Sequence, residues 1–239
     1  MSEIFDRLTF QRHTYELPDP LENIELRRCT FESCQNPLQR TLETRPTVRN
    51  ASLTRCHVRL SNLGPLVVED CTVDTIWLHR GMWGAQDIAG CAFKHVVIRG
   101  NVTGSVRFLP SIPWLLHPPQ PPACQDPFAM ANARYYRDVD WALDISGARF
   151  TSIEMDLAGI PARLIRRDPD LQIVMTRAQA LEGAWLEPLA KSKWRFAVSA
   201  FLRSGFDDFV LVACERGRYF DEERESLRRL RSAGAAVSD

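Results

Sequence analysis

Seven cysteines and five histidines are the side chains of this chain that could hold a metal or attack a substrate, and their spacing decides what they could do. No Cys-x-x-Cys pair and no Cys/His metal spacing occurs, and the histidines are scattered at 13, 57, 79, 95 and 117. There is no His-Glu-x-x-His, Ser-centred elbow, phosphate loop or dinucleotide fingerprint. Cys124 and Cys214 have no base nearby in sequence to activate a thiol. Glu154, Asp156, Asp207 and Asp208 could form acid–base pairs, but carboxylates in loops and on solvated faces far outnumber catalytic ones. The sequence therefore predicts a protein that is not an enzyme and needs no metal or cofactor. Six other residues could bind rather than catalyse: His57, Arg59, Trp77, His79, Arg80 and Arg99. Arginines and histidines beside an indole suit an acidic protein surface, an anion or a nucleic acid. Whether they meet depends on the elements that carry them.

Those elements are written with an unusual period. Taking every fifth residue from Leu53 gives Val58, Leu63, Val68, Val73 and Leu78, all apolar. The positions two before each are Ala51, Cys56, Ser61, Leu66, Cys71 and Ile76, all small or apolar. The pattern weakens at Gly81 and Gln86, then resumes with Ile88, Phe93, Ile98, Thr103 and Phe108. A helix returns apolar residues at three and four, a strand at two. Residues two apart share a side only in extended chain, so the three-residue step to the next pair must turn a corner. Extended pair, corner, extended pair describes a solenoid with flat faces.

At "ASLTR", "CHVRL", "CTVDT" and "CAFKH" the chain resembles the pentapeptide-repeat family, whose unit places a small residue, often Ala or Cys, two before a central Leu or Phe. The family's frequent Asp or Asn before the central residue is mostly missing, which marks a divergent member. The resemblance implies a right-handed, four-sided β-helix with twenty residues per coil. Some of the family imitate DNA and protect topoisomerases through a long acidic surface. This neutral chain, basic on one regular face, does not fit that role.

With twenty residues per coil, positions stack by arithmetic. Leu53, Val73 and Phe93 are predicted to form one inward column, and Val58, Leu78 and Ile98 the next. Cys71 and Cys91 would stack at the ~4.8 Å spacing of neighbouring strands, near enough for a disulfide, though free buried thiols are expected. Arg59, His79 and Arg99 would share one outward column, flanked by His57, Trp77 and Arg80, with Glu69, Asp70 and Asp87 on another face. Stacked cations repel unless an acidic partner relieves them. Binding would then strengthen below about pH 6.5 as the histidines charge, and weaken with salt.

Thirty basic and thirty acidic residues leave a formal net charge of zero, which argues against a surface that attracts or imitates nucleic acid as a whole. "MSEIFDRLTF" has no signal-peptide character, and no run approaches the ~18 apolar residues of a membrane span. Cytoplasm with free thiols is the expected compartment. The expected fold class is mainly β: a solenoid domain over 1–175, with regular coils at about 47–109 and a proline-rich insertion at about 109–135, then a helical cap over 176–239. "LPSIPWLLHPPQPPACQDPF" has seven prolines in twenty residues and reads as neither solenoid interior nor helix. Trp194, Val198, Phe201 and Leu202 fall at helical spacing, and "DEERESLRRLRSAG" reads as a charged helix closed by glycine. The expected role is a non-enzymatic scaffold for another protein. Nucleic acid is the weaker partner, no membrane is involved, and oligomeric state is left open. The alternatives are nucleic-acid or anion binding, or an enzyme pocket between insertion and coils.

Overall fold

A computed structural model describes residues 2–11, 20–34, 45–59, 61, 65–79, 86–109, 123–153 and 159–237. The chain begins with short strands: β1 (Glu3–Asp6), β2 (Thr9–Gln11), β3 (Leu21–Glu22), β4 (Ile24–Arg27) and β5 (Thr30–Glu32). The regular stretch holds β6 (Thr47–Arg49), β7 (Ser52–Arg59), β8 (Val67–Glu69), β9 (Thr72–Leu78), β10 (Gln86–Ala89), β11 (Ala92–Lys94) and β12 (Val96–Leu109). Helix α1 (Pro127–Tyr135) precedes β13 (Leu143–Asp144), β14 (Ala148–Ile153) and β15 (Ile165–Arg166). The last part is β16 (Gln172–Thr176), α2 (Arg177–Glu182), α3 (Trp194–Ser204), β17 (Asp208–Val212) and α4 (Phe220–Ser232).

The fold is mainly β, and from β1 to β15 every strand pairing among the described residues is parallel. A first flank aligns Phe5, Leu26, Leu53, Val73 and Ile98. A second flank aligns Phe10, Phe31, Val58 and Leu78. A third sheet, β3–β6–β8–β11, aligns Leu21, Val48, Val68 and Phe93. The end of β12 pairs with β10.

β7, β9 and β12 each cross from the first flank to the second at a corner. The residue there has left-handed backbone: Arg55 (φ 55), Thr75 (φ 58) and Gly100 (φ 69), with Arg7 and Arg28 continuing the column. Such a conformation costs a non-glycine residue about 1–3 kcal/mol, so the surroundings must hold it. Hydrogen bonds between neighbouring strands do so: Arg7 N donates to Arg27 O at 2.9 Å and Arg28 N to Thr54 O at 2.8 Å. A second corner column, Asn23, Asn50, Asp70 and His95, joins the third sheet to the first flank.

The small residues of the five-residue unit turn inward and do more than fill space. Cys29 Sγ donates to the carbonyls of Arg27 and Phe5, each at 3.4 Å, and Cys56 Sγ to those of Thr54 at 3.6 Å and Leu26 at 3.5 Å. Ser61, at the same point of the unit, donates to Arg59 O at 2.9 Å. A thiol or hydroxyl two residues on thus gives the carbonyls of Arg27, Thr54 and Arg59 a second donor, beside the backbone N–H of a neighbouring strand from which each already accepts.

Inward and outward assignments agree with the period of five at Val58, Leu78, Phe93 and Ile98, which are buried, and at Leu53 and Val73, which are half-buried. Thr103 departs from it, because the register shifts between Arg99 and Val102, so that buried Val102 opposes Ile76 and Thr103 opposes the outward Trp77. The columns themselves need correction beyond Leu78. Leu53 opposes Val73, twenty residues on, but Val73 opposes Ile98, twenty-five on, and Phe93 opposes Val68. One extra unit enters between His79 and Gln86, where residues 80–85 lie outside the described residues. Cys71 and Cys91 consequently stand in different columns. Thr72, after Cys71, pairs with Val97, whereas Ala92, after Cys91, pairs with Val67. All seven cysteines are free thiols, and burial pushes the Cys91 thiol up to about 12.

The proline-rich run also needs correction. Its end forms α1, with Pro127 at the first helical position and Asp126 as cap, accepting from Phe128 N at 2.9 Å and Ala129 N at 3.3 Å. The helix is pinned to the third sheet. Asn132 Nδ2 donates to Cys91 O at 2.9 Å, and Tyr135 Oη to Glu69 Oε1 at 2.7 Å.

β16 and β17 are antiparallel, and their two sides face different cores. Val174, Val210 and Val212 join the strand core with Leu143 and Phe150. Ile173, Met175, Phe209 and Leu211 join a second core with Trp194, Val198, Phe201, Leu227 and Leu230. This alternation is the period of two that a two-sided strand requires. Hydrogen bonds from Gln172 Nε2 to Ile145 O at 3.1 Å and from Arg216 N to Phe150 O at 3.1 Å hold the C-terminal part on the last parallel strands.

Candidate functional site

The outward residues of the second flank follow from its register. His57 lies between Thr30 on β5 and Trp77 on β9, with Thr103 on β12 beyond Trp77. Arg59 lies beside Glu32. Register partners on parallel strands bring their rings together. The His57 imidazole lies on the Trp77 indole with centroids 4.6 Å apart and planes 10° from parallel. His57 Nδ1 and His79 Nε2 are 3.2 Å apart. Burial, then the His79 and Arg59 charges, lower the His57 pKa from its usual value. Arg59 is exposed and makes no ion pair among the described residues, and its neighbour Glu32 accepts from Gln11 Nε2 at 3.0 Å.

Of the six residues that the sequence singles out, the structure brings together His57, Arg59, Trp77 and His79. Arg80 lies outside the described residues. Arg99 departs from the expected column. It sits on the first flank opposite Asp74, and its Nε reaches Asp74 Oδ2 at 2.9 Å. The extra five-residue unit moved Arg99 one side round without turning it inward. The stacking role expected of Trp77 also changes, because one ring face is already taken by His57.

A further constellation went unseen in the sequence. His95, at a left-handed corner (φ 54), holds Asp70 Oδ1 at 2.9 Å through Nδ1 and Asp140 Oδ1 at 2.6 Å through Nε2. The Asp140 bond foremost, with Asp70 added and burial opposing, raises its pKa. Its ring lies 4.8 Å from Trp141, over which the Arg166 guanidinium sits at 4.0 Å. With both nitrogens bound to carboxylates this imidazole is a cationic clamp with no lone pair left to act as a base. Asp70 was legible as an outward acid. Asp140 returns from the insertion, whose path no period describes.

Asp208 accepts from Ala162 N at 3.0 Å, and its carboxyl is shifted upward by burial. Glu154 and Asp156 lie outside the described residues. Cys214 is buried and Cys124 partly so. Among the described residues no three His, Cys, Asp or Glu side chains gather to hold a metal, and no helix is long and apolar enough to cross a membrane. Comparison with family models, curated proteins and solved structures finds no match to this chain.

Proposed function

We propose that the chain is a non-enzymatic scaffold for another protein, built on a right-handed, four-sided β-helix of pentapeptide-repeat type. Three kinds of observation support the architecture: parallel strands stacked at intervals of twenty to twenty-seven residues from β1 to β12, corner residues in register, and thiols donating to carbonyls next to the corners. The contact surface is the second flank, and one observation carries that choice. Arg59 stands exposed beside two histidines and makes no ion pair among the described residues, whereas Arg27 and Arg99 of the first flank each meet a carboxylate. An unpaired cation on a rigid, flat surface is available to an acidic partner and fixes its register more than it adds affinity.

Capture from the native host, with the parent and two variants as bait, tests this reading. Arg59→Ser should lose several-fold of a captured protein, and Arg99→Ser should keep it. Equal capture by parent and Arg59→Ser removes the second flank as the contact. Binding to DNA or RNA that falls steeply with salt would favour a nucleic-acid partner instead.

A further inference from the structure

His57 and His79 meet in a way that limits how many protons they can hold. Their facing nitrogens are 3.2 Å apart, while their ring centroids are 5.5 Å apart with planes 18° from parallel. The centroid separation matches the nitrogen separation plus one ring radius at each end. Both nitrogens therefore lie on the line between the centroids, and the rings meet edge to edge in nearly one plane. That is the arrangement of one N–H aimed at one lone pair.

Such a contact tolerates two charge states. In the neutral pair one imidazole donates to the other. With one added proton, an imidazolium donates to an imidazole through the same bridging hydrogen, a stronger charge-assisted bond. A second added proton would put hydrogens on both facing nitrogens and like charges on both rings, so the contact would have to open. The surroundings sharpen this limit. Trp77 covers one face of His57. Among the described residues the charged groups alongside are Arg59 on β7 and its register partner Glu32 on β5. Thr30 and Thr103, the neighbours on β5 and β12, bring no charge.

We propose that the His57–His79 pair takes up one proton and resists a second, and that an acidic segment docking on the second flank draws that one proton in. The docking half of this inference rests on reading the second flank as the contact surface; the titration half does not. A carboxylate held by Arg59 stabilises the singly protonated pair next to it. Protonation and docking therefore favour each other by the same factor, because the coupling is reciprocal.

Two measurements separate the halves. First, the histidine ring signals of the full chain are followed by NMR from about pH 8.5 to about pH 4.5, with His57→Gln and His79→Gln assigning them. The parent pair should titrate jointly, in two steps more than about one pH unit apart. In His79→Gln, His57 should titrate in a single step. Parent rings that each follow a single independent curve overturn the shared-proton pair. Second, a hexaglutamate peptide is titrated calorimetrically near pH 6.5 in two buffers of different ionisation enthalpy. The parent should take up as much as one proton on binding and His79→Gln markedly less. Binding without proton uptake overturns the linkage. Joint two-step titration with no peptide binding leaves the pair standing and overturns the second flank as an acidic-partner surface.

Discussion

The first and second flanks share β7, β9 and β12 and the corners within them, and they pair several of their charged side chains differently. On the first flank and its corners, Arg27 meets Glu25 at 2.7 Å, Arg28 meets Asp6, and Arg99 meets Asp74 at 2.9 Å. The histidine bordering that flank, His95, is held between two aspartates. On the second flank Arg59 has no such partner among the described residues, and His57 meets another histidine. The backbone offers each flank equivalent outward positions. Charge balance is therefore chosen residue by residue, and a chain with zero net charge can still keep a local positive surplus.

The largest expected effect breaks what the flanks share. Leu78, on β9 between Trp77 and His79, points into the core. Leu78→Asp should unfold the protein, because an unpaired buried carboxylate costs several kcal/mol, comparable to a domain's net stability. His79→Gln, one residue away and outward, should leave the fold intact. Thermal melts or far-UV circular dichroism distinguish the two. If Leu78→Asp folds like the parent, the inward assignment of the second flank is wrong.

Next comes Gly104→Ala. Gly104 adopts φ 104 on β12, and an added Cβ would run into the Leu78 carbonyl oxygen. Strain of about 1–3 kcal/mol should lower the melting temperature by several degrees. An unchanged melt would mean the strands there can part freely.

The two histidines should respond to pH with opposite signs. His95 has its folded pKa raised, so its stabilisation is fully present below the unfolded value of about 6.5 and fades as pH rises through the folded value. His57 has its folded pKa lowered, so its contribution is present above about 6.5 and is lost as pH falls from there toward the folded value. Urea midpoints across this range, for His95→Gln and His57→Gln against the parent, should show the first variant's deficit shrinking at alkaline pH and the second's shrinking at acid pH. Deficits that move in the same direction would erase the electrostatic contrast between the flanks.

The smallest effect sharpens the comparison. Asp74→Asn leaves Arg99 unpaired and gives the first flank the exposed cation that marks the second. Stability should change by less than about 1 kcal/mol, as for other exposed pairs. Weak, salt-sensitive capture of the hexaglutamate peptide should appear on a variant that also carries Arg59→Ser. Its absence would show that a free arginine needs the histidine pair beside it.

The period of five made most inward and outward residues between Leu53 and Phe108 legible, because each side of the strand array repeats one physical instruction. It failed at Thr103, where a register shift turns Val102 inward instead. It did not reveal which residues stack. Inserting one whole unit preserves the period and keeps every side chain inward or outward, yet carries everything after it one side round. Arg99 therefore looked like a neighbour of His79 and is a neighbour of Asp74. The weakness at Gly81 and Gln86 was the trace of that unit. Asp126 followed by Pro127 was a legible helix start that the density of prolines obscured. The His95 clamp was not legible, since Asp140 arrives through the insertion. β17 was missed for another reason. A strand shared by two cores is apolar on both sides, and "FVLV" sits among helical patterns without an alternation to expose it.

The inward thiols also set how the molecule meets reactive chemistry. Six of the seven cysteines are buried, several with their S–H committed to a carbonyl, and burial shifts the thiols of Cys56, Cys71 and Cys91 away from the thiolate form. Electrophiles and peroxides act on accessible thiolates, so this row of sulfur is chemically quiet while the fold stands. Cys124, just ahead of α1 and only partly covered, is left as the natural handle for a label or crosslinker. A probe attached there sits beside the helix that docks on the third sheet, and alkylation of the other six becomes a clock for unfolding.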